Sequence, residues 1–410
     1  MLNALGLVAG FAMHALVARK FGAAGYGVFG VILAGLQVAA SPAALGWLEG
    51  LPKLLVEFRA NRDDARLSGV VVRAQQTALA MSGLVALGLG AFGHWAMQSD
   101  PELPGVLAGM AVLLPVFVLS RLQQQVLLTL QYVRQGLLFV HLAVPATVVV
   151  AALISPGLSA GTLICFYWVG MAAACVGQGL AIVRALPGSG ERTSQTRRWL
   201  GANLPLVLGT MSQRLVAQGD LLVLTYFAGL EVGGVYALSR RLVDLIVFGN
   251  RALASALAPM LGAAVAGGER EEATRLLWRG AAWSTLWALP WSLAGLLAAE
   301  FILGQFGASF VAGAWILRIL ILGGLVNAMV GPVGQALLVA GQTTFWRNSA
   351  LLVNSVTMLG FVAVAPWGQG LAVASVRSGC DGFLNLWRWR FLQAKIASGE
   401  PRSEPQIGDR

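Results

Sequence analysis

The sequence predicts an all-α polytopic membrane protein: twelve transmembrane helices arranged as two six-helix bundles in parallel repeat. Three observations carry that prediction. Charged residues are 11% of the 410 and hydrophobic ones 57%, with a mean hydropathy of +0.73, whereas soluble domains carry about 25% charge. Apolar stretches near the bilayer-crossing length of about 20 residues recur twelve times along the chain. The second half also repeats short motifs of the first half in the same order. Because hydrocarbon offers no hydrogen-bond partner, each stretch must satisfy its own backbone as a helix.

The expected spans are 2–18, 26–48, 68–94, 104–130, 137–155, 161–186, 203–228, 233–262, 280–303, 311–340, 348–366 and 370–387. The opening "MLNALGLVAGFAMHALVARKFG" has no basic n-region and runs straight into further spans, which argues against a cleavable signal. The first span starts at Met1 with no polar segment before it, so a shortened start is expected. Cys165, Cys175 and Cys380 all fall within spans, which suggests neither a disulfide framework nor a metal site. No cofactor is expected.

A net charge of +10 would point to nucleic acid in a soluble protein; here the loops explain it. Segments 49–67, 131–136, 184–202, 263–279, 341–347 and 388–410 hold 18 Lys or Arg, and the alternate segments hold two, Arg19 and Lys20. The basic side faces the cytoplasm, so both termini are expected inside, at a bacterial inner membrane. Trp387 and Trp389 suit an interfacial aromatic belt. Residues 394–410 read as a disordered tail.

The repeat organises the halves. "GAAGYGVF" (22–29) resembles "GLEVGGVY" (229–236), with Gly22/Gly229, Gly27/Gly234 and Val28/Val235 all 207 apart; Pro52 and Pro259 keep that offset. "RDDARL" (62–67) recurs as "REEATRL" (270–276), and "QVLLTLQ" (125–131) as "QALLVAGQ" (335–342). The expected domains are therefore 1–183, a linker 184–202 and 203–393. Six spans per half give both halves one orientation, with a substrate site between them near the midplane. The "RDD" and "REE" triplets occupy equivalent loops before helices, which fits compensation of helix dipoles rather than metal or sugar chemistry.

The candidate site follows from eight basic residues inside spans: Arg73, Arg121, Arg214, Arg240, Arg241, Arg251, Arg318 and Arg377. Intramembrane charges cost about 2.5–3.5 kcal/mol each on insertion scales, so they face cavities or partners. On a helical wheel Asp244 and Arg251 lie within about 40° of Arg240, a stripe about 16 Å long at 1.5 Å per residue. Arg241 lies beside it, within reach of Asp244. Guanidinium groups fork onto phosphate or carboxylate oxygens, so Arg240, Arg251, Arg214, Arg318 and Arg241 are the expected anion-binding residues. Asp220, Asp244 and Asp381 are candidates for coupling or ion pairing. Asn3, His14, Gln37 and Gln213 are candidate sugar contacts. Arg73 and Arg121, near span ends, are expected to snorkel to the interface, and Arg377–Asp381 to form an i,i+4 pair.

"LVARKFGAAGYGVFGVILAGLQ" (16–37) and "LVAGQTTFWRNSALLVNSVTMLGFVAV" (338–364) resemble the polysaccharide-repeat-unit (O-antigen or capsule type) flippases of the multidrug/oligosaccharidyl-lipid/polysaccharide (MOP) superfamily. The resemblance implies a MATE-like twelve-span fold that moves undecaprenyl-pyrophosphate-linked oligosaccharide between leaflets. It also implies partners: lipid-linked oligosaccharide, membrane lipids, a polymerase or glycosyltransferase machinery and a coupling ion, H+ or Na+, with no nucleic acid. The alternatives are a cation-coupled multidrug exporter and a lipid II-type flippase. Extruders of the superfamily couple cations through acidic residues within the N-terminal bundle, where this chain has Glu49 and Glu57 only near the cytoplasmic end of its second span. An enzyme is not expected: the longest loops are short, and His14, His94 and His141 are scattered.

Overall fold

The computed structural model describes residues 2–96, 103–154, 160–186, 196–266, 269–331, 333–339 and 341–398, and among these there is no strand. The helices are α1 Leu2–Ala43, α2 Trp47–Ala60, α3 Asp64–Ala96, α4 Leu103–Thr129, α5 Val133–Leu138, α6 Val144–Ile154 and α7 Ala160–Ala185. They continue as α8 Thr196–Ile246, α9 Phe248–Ala266, α10 Arg270–Leu297, α11 Ala299–Gly304, α12 Ala308–Val311, α13 Ala314–Val330, α14 Val333–Val339 and α15 Thr343–Ser398. A π turn, Phe139–Ala143, joins α5 to α6.

Among the described residues seven helical stretches are long and apolar enough to cross a membrane: Val8–Ala43, Asp64–Trp95, Leu103–Thr129, Val133–Ile154, Gly161–Ala185, Thr210–Ile246 and Thr343–Lys395. The chain is a multi-pass membrane protein. Three long helices are interrupted inside: α1 at Gly22, α8 at Gly229 and α15 at Gln369. Each interruption falls between two of the spans expected from sequence.

The chain divides into two compact units, Met1–Gln218 and Gly219–Arg410, so the division lies within α8. Of the expected linker 184–202, residues 187–195 lie outside the described residues. In the first unit α3 packs on α4, α4 on α7, and α6 on α7. Its core holds Tyr26, Ile32, Leu36, Trp47, Leu51, Leu113 and Leu122, all at or below 2% exposure. Gly170 lets α7 approach α6 closely: a Cβ there would sit 2.9 Å from the Val144 Cα, the small-residue packing that membrane helices use in place of a hydrophobic drive. In the second unit α13 packs on α15, and α10 on α9 and α13.

Backbone corners recur in both units. Gly22 (φ 65°) and Gly229 (φ 85°) take the same extended left-handed turn, a conformation that glycine enters without a Cβ penalty. Asp63 N donates to Phe58 O at 2.9 Å, and Glu269 N to Ala264 O at 2.9 Å. Tyr132 N donates to Leu127 O at 2.8 Å, and Gln342 N to Leu337 O at 2.9 Å. These six-residue closures are helix C-terminal caps. The "RDD" loop does what its charges suggested: Asp63 Oδ1 accepts from Arg66 N at 3.0 Å, capping α3.

Candidate functional site

Two polar constellations lie inside the membrane helices, one in each unit. In the second, the Gly229 corner folds the two arms of α8 back, which brings Asp220, Tyr236 and Arg240 to one level. Asp220 is fully buried and is the hub. Its Oδ1 accepts from Arg240 Nη1 at 2.7 Å. Its Oδ2 accepts from the Tyr236 hydroxyl at 2.7 Å and from Arg377 Nη1 at 2.6 Å. Arg377 Nε also faces Asp381 Oδ2 at 3.7 Å, and Asp381 is half exposed. Two guanidinium groups against two carboxylates balance, and each guanidinium places a nitrogen on the buried one.

This arrangement corrects the expected arginine stripe. Arg240 is turned onto Asp220 across the corner, and both Arg240 and Asp244 have further interactions. The expected i,i+4 pair of Arg377 with Asp381 is present at 3.7 Å, and Arg377 makes a shorter contact, 2.6 Å, to Asp220. Arg241 follows half-buried on α8. Arg318 is held elsewhere, by Glu300 at 3.1 Å and Leu296 O at 3.2 Å, with its guanidinium 4.8 Å over the Trp315 ring. The side chain of Arg251 lies outside the described residues, as does that of Asn3.

The first unit holds an open polar cavity of about 430 Å³, lined by Leu48, Glu49, Arg121, Gln124, Gln125, Leu128, Thr210, Gln213 and Arg214. That volume falls in the range of ligand pockets, about 300–1,000 Å³. A slot beside it is lined by Gln37, Ser41, Glu49, Arg121 and Arg214, among others. The first arm of α8 is fastened to this unit. Trp199 packs against Trp47 and Phe58, Thr210 Oγ1 meets Ser41 Oγ at 2.9 Å, and Gln218 Nε2 donates to Gln37 Oε1 at 3.1 Å. Those contacts place Arg214 opposite Glu49 of α2 and Arg121 of α4.

Electrostatically the cavity is one-sided. Arg121 and Arg214 repel one another across it, and Glu49 is the only carboxylate in its lining. Arg121 does not snorkel as expected; it faces the cavity, with Nη1 at 3.4 Å from Gln124 Oε1. Of the expected site residues, Arg214, Gln37 and Gln213 come together here. His14 does not: it is buried, its Nδ1 is 3.0 Å from the Tyr26 hydroxyl, and Phe29 packs on its ring. Sequence reasoning missed Arg121, Tyr236 and Arg377 as site residues. One signal was present for Tyr236, which lies between the Gly229 corner and Arg240, while Asp220 stands at a similar distance on the corner's other side.

No protein-family model and no curated protein matches the chain. Its backbone is similar to that of a multidrug resistance MATE family transporter of the MOP superfamily in an inward-facing conformation, with TM-score 0.78 and 13% identity over 97% of this chain and 96% of that one. It is similar to the lipid II flippase MurJ in an inward closed conformation, with TM-score 0.71 and 12% identity over 97% and 90%. A MOP superfamily transporter from Pyrococcus furiosus Vc1, noted for a reverse polarity of its binding pocket, gives TM-score 0.65 and 14% identity over 98% and 94%. Identities this low speak for the fold and leave the substrate open. The chain has the fold of MOP superfamily transporters, shared with MATE proteins and with MurJ.

Proposed function

We propose that this protein is a transporter that flips undecaprenyl-pyrophosphate-linked oligosaccharide repeat units from the inner to the outer leaflet by alternating access. The observation that carries the reading is the cationic, amide-lined cavity of the first unit, where Arg121 and Arg214 outnumber Glu49. Two guanidinium groups suit the paired phosphates of a polyprenyl headgroup. The amides of Gln124, Gln125 and Gln213 supply uncharged donors and acceptors for sugar hydroxyls. The polyprenyl tail stays in lipid. Arg251 remains part of the proposed anion set. Twelve spans, bacterial inner-membrane residence and cytoplasmic termini complete the reading, supported by the 18-to-2 asymmetry of loop basic residues.

A cation-coupled multidrug exporter is the second reading, favoured by the similarity to a MATE family transporter; similarity to MurJ keeps a lipid II substrate in view. Charge separates the first of these, because a cationic cavity rejects a lipophilic cation. Cells carrying Arg121→Ala or Arg214→Ala should lose surface polysaccharide while the variant still inserts in the membrane. Normal polysaccharide in both variants would refute the assignment.

A further inference from the structure

We propose that Glu49 is the resident counter-ion of this cavity and that the anionic headgroup of the substrate displaces it electrostatically from the two arginines. The proposal rests on the phosphate-site reading given above and adds the residue that tunes that site.

Glu49 enters from α2, Arg121 from α4 and Arg214 from α8, and all three line the same cavity. Glu49 is anchored through Thr210 and acts on Arg214 through space. Its Oε2 is buried with no hydrogen-bond partner, a costly state for a charged group. A carboxylate with one oxygen untied, beside two mutually repelling guanidinium groups, stands where a better anion would stand. It offsets part of their repulsion while the cavity is empty, and it yields to a phosphate that can fork onto both.

Charge arithmetic gives the consequence. With Glu49 ionised the cavity keeps one net positive charge, one too few for a doubly charged pyrophosphate diester. With Glu49 neutral the two arginines match that dianion. Binding of a dianion and protonation of Glu49 therefore favour each other, and the ionised carboxylate selects against weak anions. Among the described residues Glu49 is the one carboxylate lining the cavity. Lys53 and Glu57 lie further along α2. His141 in the π turn and Tyr167 on α7 face Arg121. Arg73 on α3, behind α2, is hydrogen-bonded to Gln76.

The test uses the full chain in nanodiscs of uncharged lipid and methanedisulfonate, a pyrophosphate mimic that is a dianion at every pH used. Binding is measured by calorimetry below and above the carboxylate range. Wild type should bind more weakly as pH rises and Glu49 ionises. Glu49→Gln should bind about tenfold tighter than wild type at the higher pH, about 1.4 kcal/mol, with no pH slope. Glu49→Ala should reproduce this, with its melting temperature confirming the fold. Loss of binding in Arg121→Ala would locate the ligand in this cavity. If wild type binds and Glu49→Gln keeps the same affinity and pH slope, the counter-ion role falls and the phosphate site stands. If no variant with both arginines binds the dianion, the phosphate-site reading falls with it.

Discussion

Arg377 and Asp220, 157 residues apart in sequence, meet at 2.6 Å inside the second unit, and the carboxylate they share with Arg240 and Tyr236 is fully buried. Arg240, Tyr236 and Arg377 each place a donor on Asp220, and Arg377 also faces Asp381, which supplies the second negative charge. A buried charge network of this kind costs little when intact and much when one member is removed.

Removing the hub should therefore destabilise the fold. Asp220→Ala leaves two guanidinium groups facing each other, and a loss near the lower end of about 3–5 kcal/mol is expected, because those guanidiniums keep 21% and 23% exposure. Tyr236→Phe removes one hydrogen bond and should cost about 1 kcal/mol. Thermal unfolding in detergent, followed by size-exclusion fluorescence, orders the two. Equal melting temperatures for wild type and Asp220→Ala would show that the network carries no stability.

The glycine corners make a matched prediction. Gly229 has no heavy atom within 4 Å of an added Cβ, so alanine there meets only backbone strain. Gly229→Ala should lower stability by about 1–3 kcal/mol, and Gly229→Asn by no less, since asparagine tolerates positive φ mainly in the compact left-handed helical region and Gly229 has ψ 169°. Melting temperatures of the two variants check the order.

His14 separates a packing role from a sugar-binding role. With its ring buried against Tyr26 and Phe29, His14→Phe should lower the melting temperature slightly and leave transport unchanged. A strong loss of transport at unchanged stability would return His14 to the site.

Specificity gives a fourth expectation. A lipophilic cation should neither bind the purified protein nor accumulate less in cells that express it, because Arg121 and Arg214 line the cavity. Efflux of such a cation, abolished by Glu49→Gln, would favour the exporter reading.

Much of the fold was legible in the sequence because span length and helical backbone satisfaction are set locally by apolar runs. The corners were legible too: Gly22 and Gly229 stand at one repeat offset, and both adopt positive φ. The site was less so. A helical wheel ranks neighbours on one helix, so it paired Arg377 with Asp381 and grouped Arg240 with Asp244. Both arginines also reach Asp220, across a corner in one case and between helices distant in sequence in the other. Arg121 looked interfacial from its position near a span end. It lines a cavity whose other arginine, Arg214, is held there by the packing of α8 on α1 and α2 through Trp199, Thr210 and Gln218, which no local pattern reveals.

The most direct measurement reconstitutes the protein in liposomes with a fluorescent polyprenyl-pyrophosphate oligosaccharide and follows its protection from a membrane-impermeant quencher. Wild type should move the lipid between leaflets, and the Arg121→Ala/Arg214→Ala double variant, folded and inserted equally well, should reduce the rate to that of empty liposomes. An unchanged rate in the double variant would contradict the account.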